Sequence, residues 1–104
     1  MRLNEYQAQA MTFRLPSAYN KNYPLLNLSG EVGELHSLIA KAMRDGEKTD
    51  HAQNVCKELG DILWMIAAIA EDNGMELNTI AELNIKKLTS RKERNVLSGS
   101  GDNR

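Results

Sequence analysis

The sequence predicts an all-α protein with four helices in a bundle-like arrangement, and two observations support this fold class. Apolar residues recur at a spacing close to 3.6 along most of the 104-residue chain, which is the period of an α-helix. Only two prolines and five aromatic residues occur, and runs of β-branched residues are few. We expect a single domain over residues 1–94 and a flexible tail rich in serine and glycine over residues 95–104. A domain of this size has little core, so we also expect it to oligomerise.

Helix-breaking residues divide the first half of the chain into two helices. The first is predicted over residues 3–15, with Asn4 as its N-cap and with Ala10 and Phe13 on an apolar side. Prolines and asparagines then predict a loop through about residue 23. Proline suits the first turn of a helix, so the second helix is predicted from Pro24 to about residue 44, where Asp45-Gly46 ends it.

The third helix is the most apolar part of the chain. It is predicted to begin after a cap at Thr49 or Asp50 and to run to about Asn73. From Ile62 to Ala70 it is apolar on nearly every side, and a helix without a polar face must be enclosed. Three other short helices are too few to enclose it. Part of this surface is therefore predicted to contact another subunit.

A fourth helix, predicted from residue 76 or 78 to about residue 92, carries a group of polar and basic residues. Lys87 and Arg91 follow Asn84 at three and seven residues and adjoin it on the helix surface. Together they could bind a polyphosphate. Two alternatives remain for these residues. Asn84 would also be accounted for by a buried hydrogen bond, and the basic residues between 86 and 94 would be accounted for by a solvated surface or a weak nucleic-acid patch. No aromatic residue that could stack on a base is interleaved there, so nucleic acid is disfavoured as a partner.

Two acid pairs carry the strongest chemical signal. Glu31 and Glu34 in the second helix, and Glu58 and Asp61 in the third, each lie three residues apart at the edge of an apolar stripe. Crowded carboxylates at the edge of a core repel each other unless a cation neutralises them. Mg²⁺ prefers hard oxygen ligands and leaves positions open for phosphates, and Mn²⁺ could substitute for it. The alternative is two solvated faces on which each acid pairs with a lysine or arginine.

Two glycines flank the first acid. Gly30 and Gly33 would each cost about 1 kcal/mol relative to alanine in a helix interior, so their presence needs a reason. Close helix packing beside the acids, room for a bulky ligand, or plain tolerance would each account for them.

Charge and cysteine content limit the other function classes. The formal net charge of −1 gives no general attraction to nucleic acid or to a membrane surface. The single cysteine, Cys56, cannot form an internal disulfide, and the amino terminus lacks the apolar run of a secretory signal. No apolar stretch approaches the roughly 20 residues of a membrane-spanning helix. We therefore expect a cytoplasmic protein without a membrane partner.

Taken together, these motifs resemble the MazG family of all-α nucleoside triphosphate pyrophosphohydrolases. The resemblance rests on Gly30-Glu-Val-Gly-Glu-Leu35, on Lys57-Glu-Leu-Gly-Asp-Ile-Leu-Trp64, and on Asn84-Ile-Lys-Lys-Leu88 followed by Arg91. It covers about residues 24–92. It implies Mg²⁺-dependent hydrolysis of (deoxy)nucleoside triphosphates to the monophosphate and pyrophosphate. Together with the small core and the apolar third helix, this leads us to expect such an enzyme as a homodimer or homotetramer.

The resemblance also implies roles for individual residues. The metal ligands would be four acids, one of which also orients the attacking water: Glu31, Glu34, Glu58 and Asp61. Lys87 and Arg91 would neutralise the substrate phosphates, and Asn84 would assist them. Trp64 is a candidate contact for the nucleotide base. Tyr6, Gln7 and Phe13 are further candidates, although side chains of these kinds more often belong to the core or the surface.

Two other functions stay open at this point. Phosphoribosyl-ATP pyrophosphohydrolases are similar in fold and acid pattern, so an enzyme of that kind is the nearest alternative. The other alternative is a helical adaptor without enzymatic activity, which would bind a partner through the apolar third helix.

Overall fold

The computed structural model describes all 104 residues and contains only helices. There are four α-helices and one 3₁₀ helix, and no strand: α1 (Leu3–Met11), the 3₁₀ helix (Pro16–Ala18), α2 (Asn22–Asp45), α3 (His51–Asp72) and α4 (Leu77–Glu93). The predicted all-α class and the number of helices are confirmed. The predicted bounds of α2, α3 and α4 agree with the observed ones to within two residues. None of the helices combines the length and the apolar composition needed to cross a membrane.

A long helical hairpin, formed by α2 and α3, is the main packing unit of the fold. Helix α2 ends at Gly46, which adopts a left-handed φ of 88° that glycine allows without strain. The Gly46 N–H donates to the Ala42 carbonyl at 2.8 Å and so closes the last turn of the helix. Residues 46–50 reverse the chain. Asp50 occupies the N-cap position of α3, but its side chain makes no capping hydrogen bond, so the predicted cap is present in position only.

Helix α1 is shorter than predicted, ending at Met11 instead of residue 15. Leu15 precedes Pro16, and the helical conformation is disfavoured for a residue before a proline. Leu15 accordingly has an extended backbone, with φ −69° and ψ 145°. Arg14 turns inward and forms a bidentate ion pair with Asp72 at the end of α3, with N–O distances of 2.8 and 2.9 Å. The predicted apolar side is therefore wrong at Phe13, which is 77% exposed.

Side chains of α1 cap the amino terminus of α4. The predicted role of Asn4 as the cap of its own helix is wrong, because Arg2 occupies that position and Asn4 lies inside α1. Instead, Asn4 Oδ1 accepts the Asn78 N–H at 3.0 Å, and the buried Gln7 accepts the Leu77 N–H at 2.8 Å. These bonds satisfy two of the N–H groups that a helix start leaves unpaired. They fix where α4 leaves the end of α3.

The apolar core is small for a chain of this length. Four of its six buried apolar residues lie on α3, and three of those four are alanines: Met65, Ala67, Ala68 and Ala70. Ala10 of α1 and Leu77 of α4 complete the core. Larger apolar side chains are left at least one-third exposed, among them Leu63 and Ile66 on α3. The Cα radius of gyration is 16.6 Å, against about 13 Å for a compact domain of this length. The apolar third helix is thus not enclosed by its own chain.

Candidate functional site

Four acidic side chains converge where α2 packs on α3. Each contributes one carboxylate oxygen to a set in which all four atoms lie within 4.8 Å of one another: Glu31, Glu34, Glu58 and Asp61. Glu31 and Glu58 are half-buried, whereas Glu34 and Asp61 are exposed. We call these four residues the acid cluster. The two acid pairs identified in the sequence are therefore neighbours in space, and none of the four pairs with a lysine or arginine.

The register of the helical hairpin explains this convergence. The Asn27 amide nitrogen of α2 lies 3.7 Å from the Met65 sulfur of α3. In an antiparallel pair, one turn forward on α2 corresponds to one turn backward on α3. The same register therefore places Glu31 opposite Asp61, and Glu34 opposite Glu58. Acids spaced by three residues on each helix thus form one cluster.

The electrostatics of the acid cluster show that its charges are not compensated by the protein. Burial, and then the charges of Glu34, Asp61 and Glu58, raise the pKa of the Glu31 carboxyl. Burial, and then the charges of Glu34 and Asp61, raise the pKa of Glu58. One oxygen of Glu31 and one of Glu58 are buried without any hydrogen-bond partner. Unpartnered buried polar atoms are rare because losing water without a replacement is costly.

A divalent cation fits this arrangement. Four hard oxygen donors within a few ångströms suit Mg²⁺ or Mn²⁺, and the two unpartnered buried oxygens lack the partner that such an ion would provide. The cation would also remove the mutual repulsion that raises the pKa of Glu31 and Glu58. The predicted alternative of lysine- or arginine-paired solvated faces does not fit either observation.

One neighbouring side chain of α2 borders the acid cluster. Asn27 lies one turn before Glu31, and its amide nitrogen is 3.5 Å from a Glu31 oxygen. The sequence reasoning missed Asn27, although its spacing of four residues from Glu31 was the available signal. Burial, and then the charge of Asp61, raise the pKa of the Tyr6 phenol, and Tyr6 packs against the buried Ala67, Ala70 and Leu77.

The predicted base contacts have other roles in the observed structure. The Trp64 indole N–H donates to the Ala10 carbonyl at 3.0 Å and so fastens α1 to α3. Gln7 is buried and caps α4, as described above. Phe13 is exposed to solvent. Contact of Trp64 with a nucleotide base stays a prediction.

The polar and basic residues of α4 form a second group, on a helix that carries none of the four acids. Helix α4 packs mainly against α1, and no hydrogen bond or ion pair joins Asn84, Lys87 or Arg91 to the four acids. Asn84 is exposed, so the buried hydrogen bond considered for it is absent. Lys87 and Arg91 instead contact Asp102 of the carboxyl-terminal segment, a partner that the sequence reasoning did not foresee.

Comparison with known proteins identifies the family. Residues 20–96 match the family model of the MazG nucleotide pyrophosphohydrolase domain. The chain belongs to the MazG nucleotide pyrophosphohydrolase family. The MazG match includes the whole acid cluster and the polar and basic residues of α4, which confirms the resemblance found in the sequence motifs.

One relative of the MazG chain comes from a bacteriophage. The chain is 37% identical over 86 residues to the Gene 37 protein of Mycobacterium phage L5, an alignment that covers 80% of this chain and 75% of that protein. That name describes no activity. No solved structure matches the chain. Family membership supports a nucleotide pyrophosphohydrolase, and members of the MazG family generally depend on a divalent metal ion.

Proposed function

We propose that this MazG domain hydrolyses (deoxy)nucleoside triphosphates to the nucleoside monophosphate and pyrophosphate in a Mg²⁺-dependent reaction. The observation that carries the proposal is the acid cluster, with four carboxylate oxygens within 4.8 Å and two buried oxygens without partners. Bound to these oxygens, Mg²⁺ would offset the negative charge of the phosphates and polarise the scissile anhydride bond. We further propose that the protein acts in the cytoplasm.

The residues of the acid cluster are proposed to have two roles, binding the cation and orienting the attacking water. Glu31 and Glu58 each have a buried oxygen without a hydrogen-bond partner, so they are proposed to hold the cation most rigidly. Glu34 and Asp61 are more exposed, and one of them is proposed to orient the attacking water and accept its proton. The water oxygen would then bond to the α-phosphorus, the bond from that phosphorus to the bridging oxygen would break, and pyrophosphate would leave with the bonding electrons.

The basic residues of α4 are proposed to hold the phosphates of the substrate. Phosphoryl-group hydrolysis depends mainly on positioning and on charge compensation. Arg91 presents a planar guanidinium that suits phosphate oxygens, and Lys87 adds a second positive charge one turn before it. Asn84 is exposed on the same helix and is free to donate its amide to a phosphate.

Open space beside the acid cluster supports the entry of a bulky substrate. A Cβ atom built on Gly33 or Gly60 would meet no atom within 4 Å, and one built on Gly30 would meet only the Asn27 side chain at 3.5 Å. Close helix packing within the single chain, one of the reasons considered for the glycines, does not account for them. Room for a ligand is the functional reason that we propose instead.

We also propose that the enzyme is a homodimer or homotetramer. The single chain has an accessible surface of 7814 Å², against about 5900 Å² for a compact monomer of this mass. The difference of about 1900 Å² exceeds the roughly 800 Å² that each partner contributes to a standard interface. Exposed apolar residues such as Leu63 and Ile66 on α3 are suited to that interface. Sedimentation of a monomer at working concentrations would contradict this part of the proposal.

The activity is tested by incubating the purified protein with Mg²⁺ and a panel of nucleoside and deoxynucleoside triphosphates, and measuring pyrophosphate. We expect release from at least one nucleotide, and its loss in Glu58→Gln. Glu82→Gln is a matched control, because Glu82 is an exposed acid on α4 without an ion pair. Release by Glu58→Gln equal to that of the unmodified protein would refute the proposal. Including phosphoribosyl-ATP in the panel distinguishes the alternative enzyme, which would act on that substrate alone.

A further inference from the structure

The carboxyl-terminal segment folds back onto the two basic residues of α4. Asp102 Oδ1 lies 3.2 Å from Lys87 Nζ and 3.3 Å from Arg91 Nη2. The same Arg91 nitrogen donates to the main-chain oxygen of Asp102 at 2.8 Å and lies 3.5 Å from that of Gly101. One carboxylate oxygen therefore sits between the two positive charges that are proposed to receive a phosphate.

Internal bonds hold this segment in the shape that presents Asp102. The Arg104 guanidinium donates to the carbonyls of Val96 at 3.1 Å, Leu97 at 2.9 Å and Gly101 at 2.6 Å. Gly101 has a left-handed φ of 89°, which allows the tight reversal before Asp102. Residues 96–104 thus form a closed loop, which we call the strap.

The chemistry of the contact is that of a phosphate mimic. A carboxylate and a phosphate accept the same charge-assisted hydrogen bonds from lysine and arginine. Arg91 is only 5% exposed, yet its Nε is buried and has no partner, so the strap leaves part of the guanidinium fork unused. A phosphate group offers more acceptor oxygens and can bind that fork in a bidentate manner.

The contact is also weak enough to be displaced. The Lys87 and Asp102 side chains are 39% and 85% exposed, and ion pairs of this kind contribute little to stability because water and salt screen them. The Arg91 side chain is only 6% exposed, but the carboxylate that pairs with it belongs to the exposed Asp102 side chain. A ligand with greater negative charge can therefore compete for the same two donors.

We propose that the strap is autoinhibitory: Asp102 occupies Lys87 and Arg91 in the absence of substrate, and substrate phosphates must displace it. This inference rests on the proposed function for the identity of the competing ligand. It does not require hydrolysis, because competition for the two basic residues is a property of binding. Only molecules with an open strap can bind phosphate at these two residues. The apparent affinity therefore equals the affinity of the open form multiplied by the fraction of molecules in which the strap is open.

The test compares four proteins: the full chain, a chain that ends at Leu97, Asp102→Asn, and Glu93→Gln as a control. Ending at Leu97 keeps the bond from the Val96 N–H to the Arg91 carbonyl at 2.8 Å, so the end of α4 stays intact. Glu93 is an exposed acid of α4 without an ion pair, and its change alters net charge as Asp102→Asn does. Binding of inorganic pyrophosphate in Mg²⁺ is measured by calorimetry, and the amide signals of Gly101 and Asp102 are followed by NMR.

We expect the shortened chain and Asp102→Asn to bind pyrophosphate about 3- to 10-fold more tightly than the full chain, with Glu93→Gln unchanged. In the full chain, pyrophosphate should shift the Gly101 and Asp102 signals toward those of an unstructured peptide. Where nucleotide turnover is measurable, KM should fall by a similar factor and kcat should stay the same.

The outcomes separate this inference from the proposed function. Equal pyrophosphate affinity in all four proteins refutes the strap, even if every protein hydrolyses nucleotides. Weaker binding by the shortened chain also refutes it, because the strap would then be part of the binding site. Tighter binding by the shortened chain and by Asp102→Asn supports the strap, even if none of the proteins hydrolyses a nucleotide.

Discussion

Replacing Glu31 by glutamine should stabilise the metal-free protein and weaken its response to Mg²⁺. The substitution keeps the shape of the side chain and removes one of four negative charges that lie within 4.8 Å of one another. Glu31 is half-buried and has one oxygen without a partner, so its charge is poorly compensated. The acid cluster is therefore expected to cost stability when no cation is bound, as functional sites often do.

The size of the effect follows from the geometry. Two unit charges 4.8 Å apart repel by about 0.9 kcal/mol in water and by about 3.5 kcal/mol at an effective dielectric constant of 20. Because two of the four acids, Glu34 and Asp61, are exposed and water screens their charges, we take the lower end, about 1 kcal/mol. For a domain of about 100 residues this corresponds to an increase in Tm of about 4–8 °C.

The assay is thermal unfolding at fixed protein concentration, in a chelator and in Mg²⁺. In the chelator, Glu31→Gln should have the higher Tm. Mg²⁺ should raise the Tm of the unmodified protein more than that of the variant, because an ion that binds the folded state adds stability and the variant has one carboxylate fewer to bind it. Glu82→Gln, an exposed acid outside the cluster, should match the unmodified protein under both conditions. A Glu31→Gln protein with an unchanged or lower Tm in the chelator, or with an undiminished Mg²⁺ response, would refute the reasoning.

The same repulsion predicts a pH dependence of the metal-free protein. The folded pKa values of Glu31 and Glu58 are raised above the ordinary value of 4.5, so the folded state binds more protons than the unfolded state in the window above that value. Stability therefore falls as pH rises through that window and increases as pH is lowered back through it. Denaturant unfolding as a function of pH should show a smaller slope in Glu31→Gln.

Three further predictions concern the contacts around the site. Arg14→Met breaks the buried pair with Asp72 and should lower the free energy of unfolding by about 3–5 kcal/mol in urea titrations. That pair lowers the pKa of Asp72 below 3.8, so its contribution should persist at neutral pH and be lost only as pH falls through the folded pKa. Gln7→Leu removes the cap on the Leu77 N–H and should cost about 1–3 kcal/mol, with faster amide exchange at the start of α4. Gly33→Ala meets no neighbouring atom and should raise stability by about 0.5–1 kcal/mol, yet raise KM if the space serves a nucleotide.

The helices and the acid cluster could be predicted because both depend on local spacing. Acids three residues apart lie on one face of a helix, and two successive helices joined by a short turn pack against each other. Gly46 and the apolar period therefore suffice to bring Glu31 near Asp61.

Long-range polar contacts could not be predicted in this way. Asn4 has the residue type and position of an N-cap, but its partner is the Asn78 N–H, 74 residues along the chain. Arg14 continues the helical pattern of α1, yet its pair with Asp72 and the proline two residues later end that helix early. Asp102 lies in a segment whose composition indicates no structure, and its pairing with Lys87 depends on how that segment folds back onto α4, which no local pattern encodes.

The most direct test of the account is a titration of the metal-free protein with Mn²⁺, followed by the loss of the free-ion signal in electron paramagnetic resonance. If the acid cluster is the cation site, the unmodified protein and Glu82→Gln should bind Mn²⁺ alike, whereas Glu58→Gln and Asp61→Asn should bind it at least about 10-fold more weakly. Equal Mn²⁺ affinity in all four proteins would contradict the account.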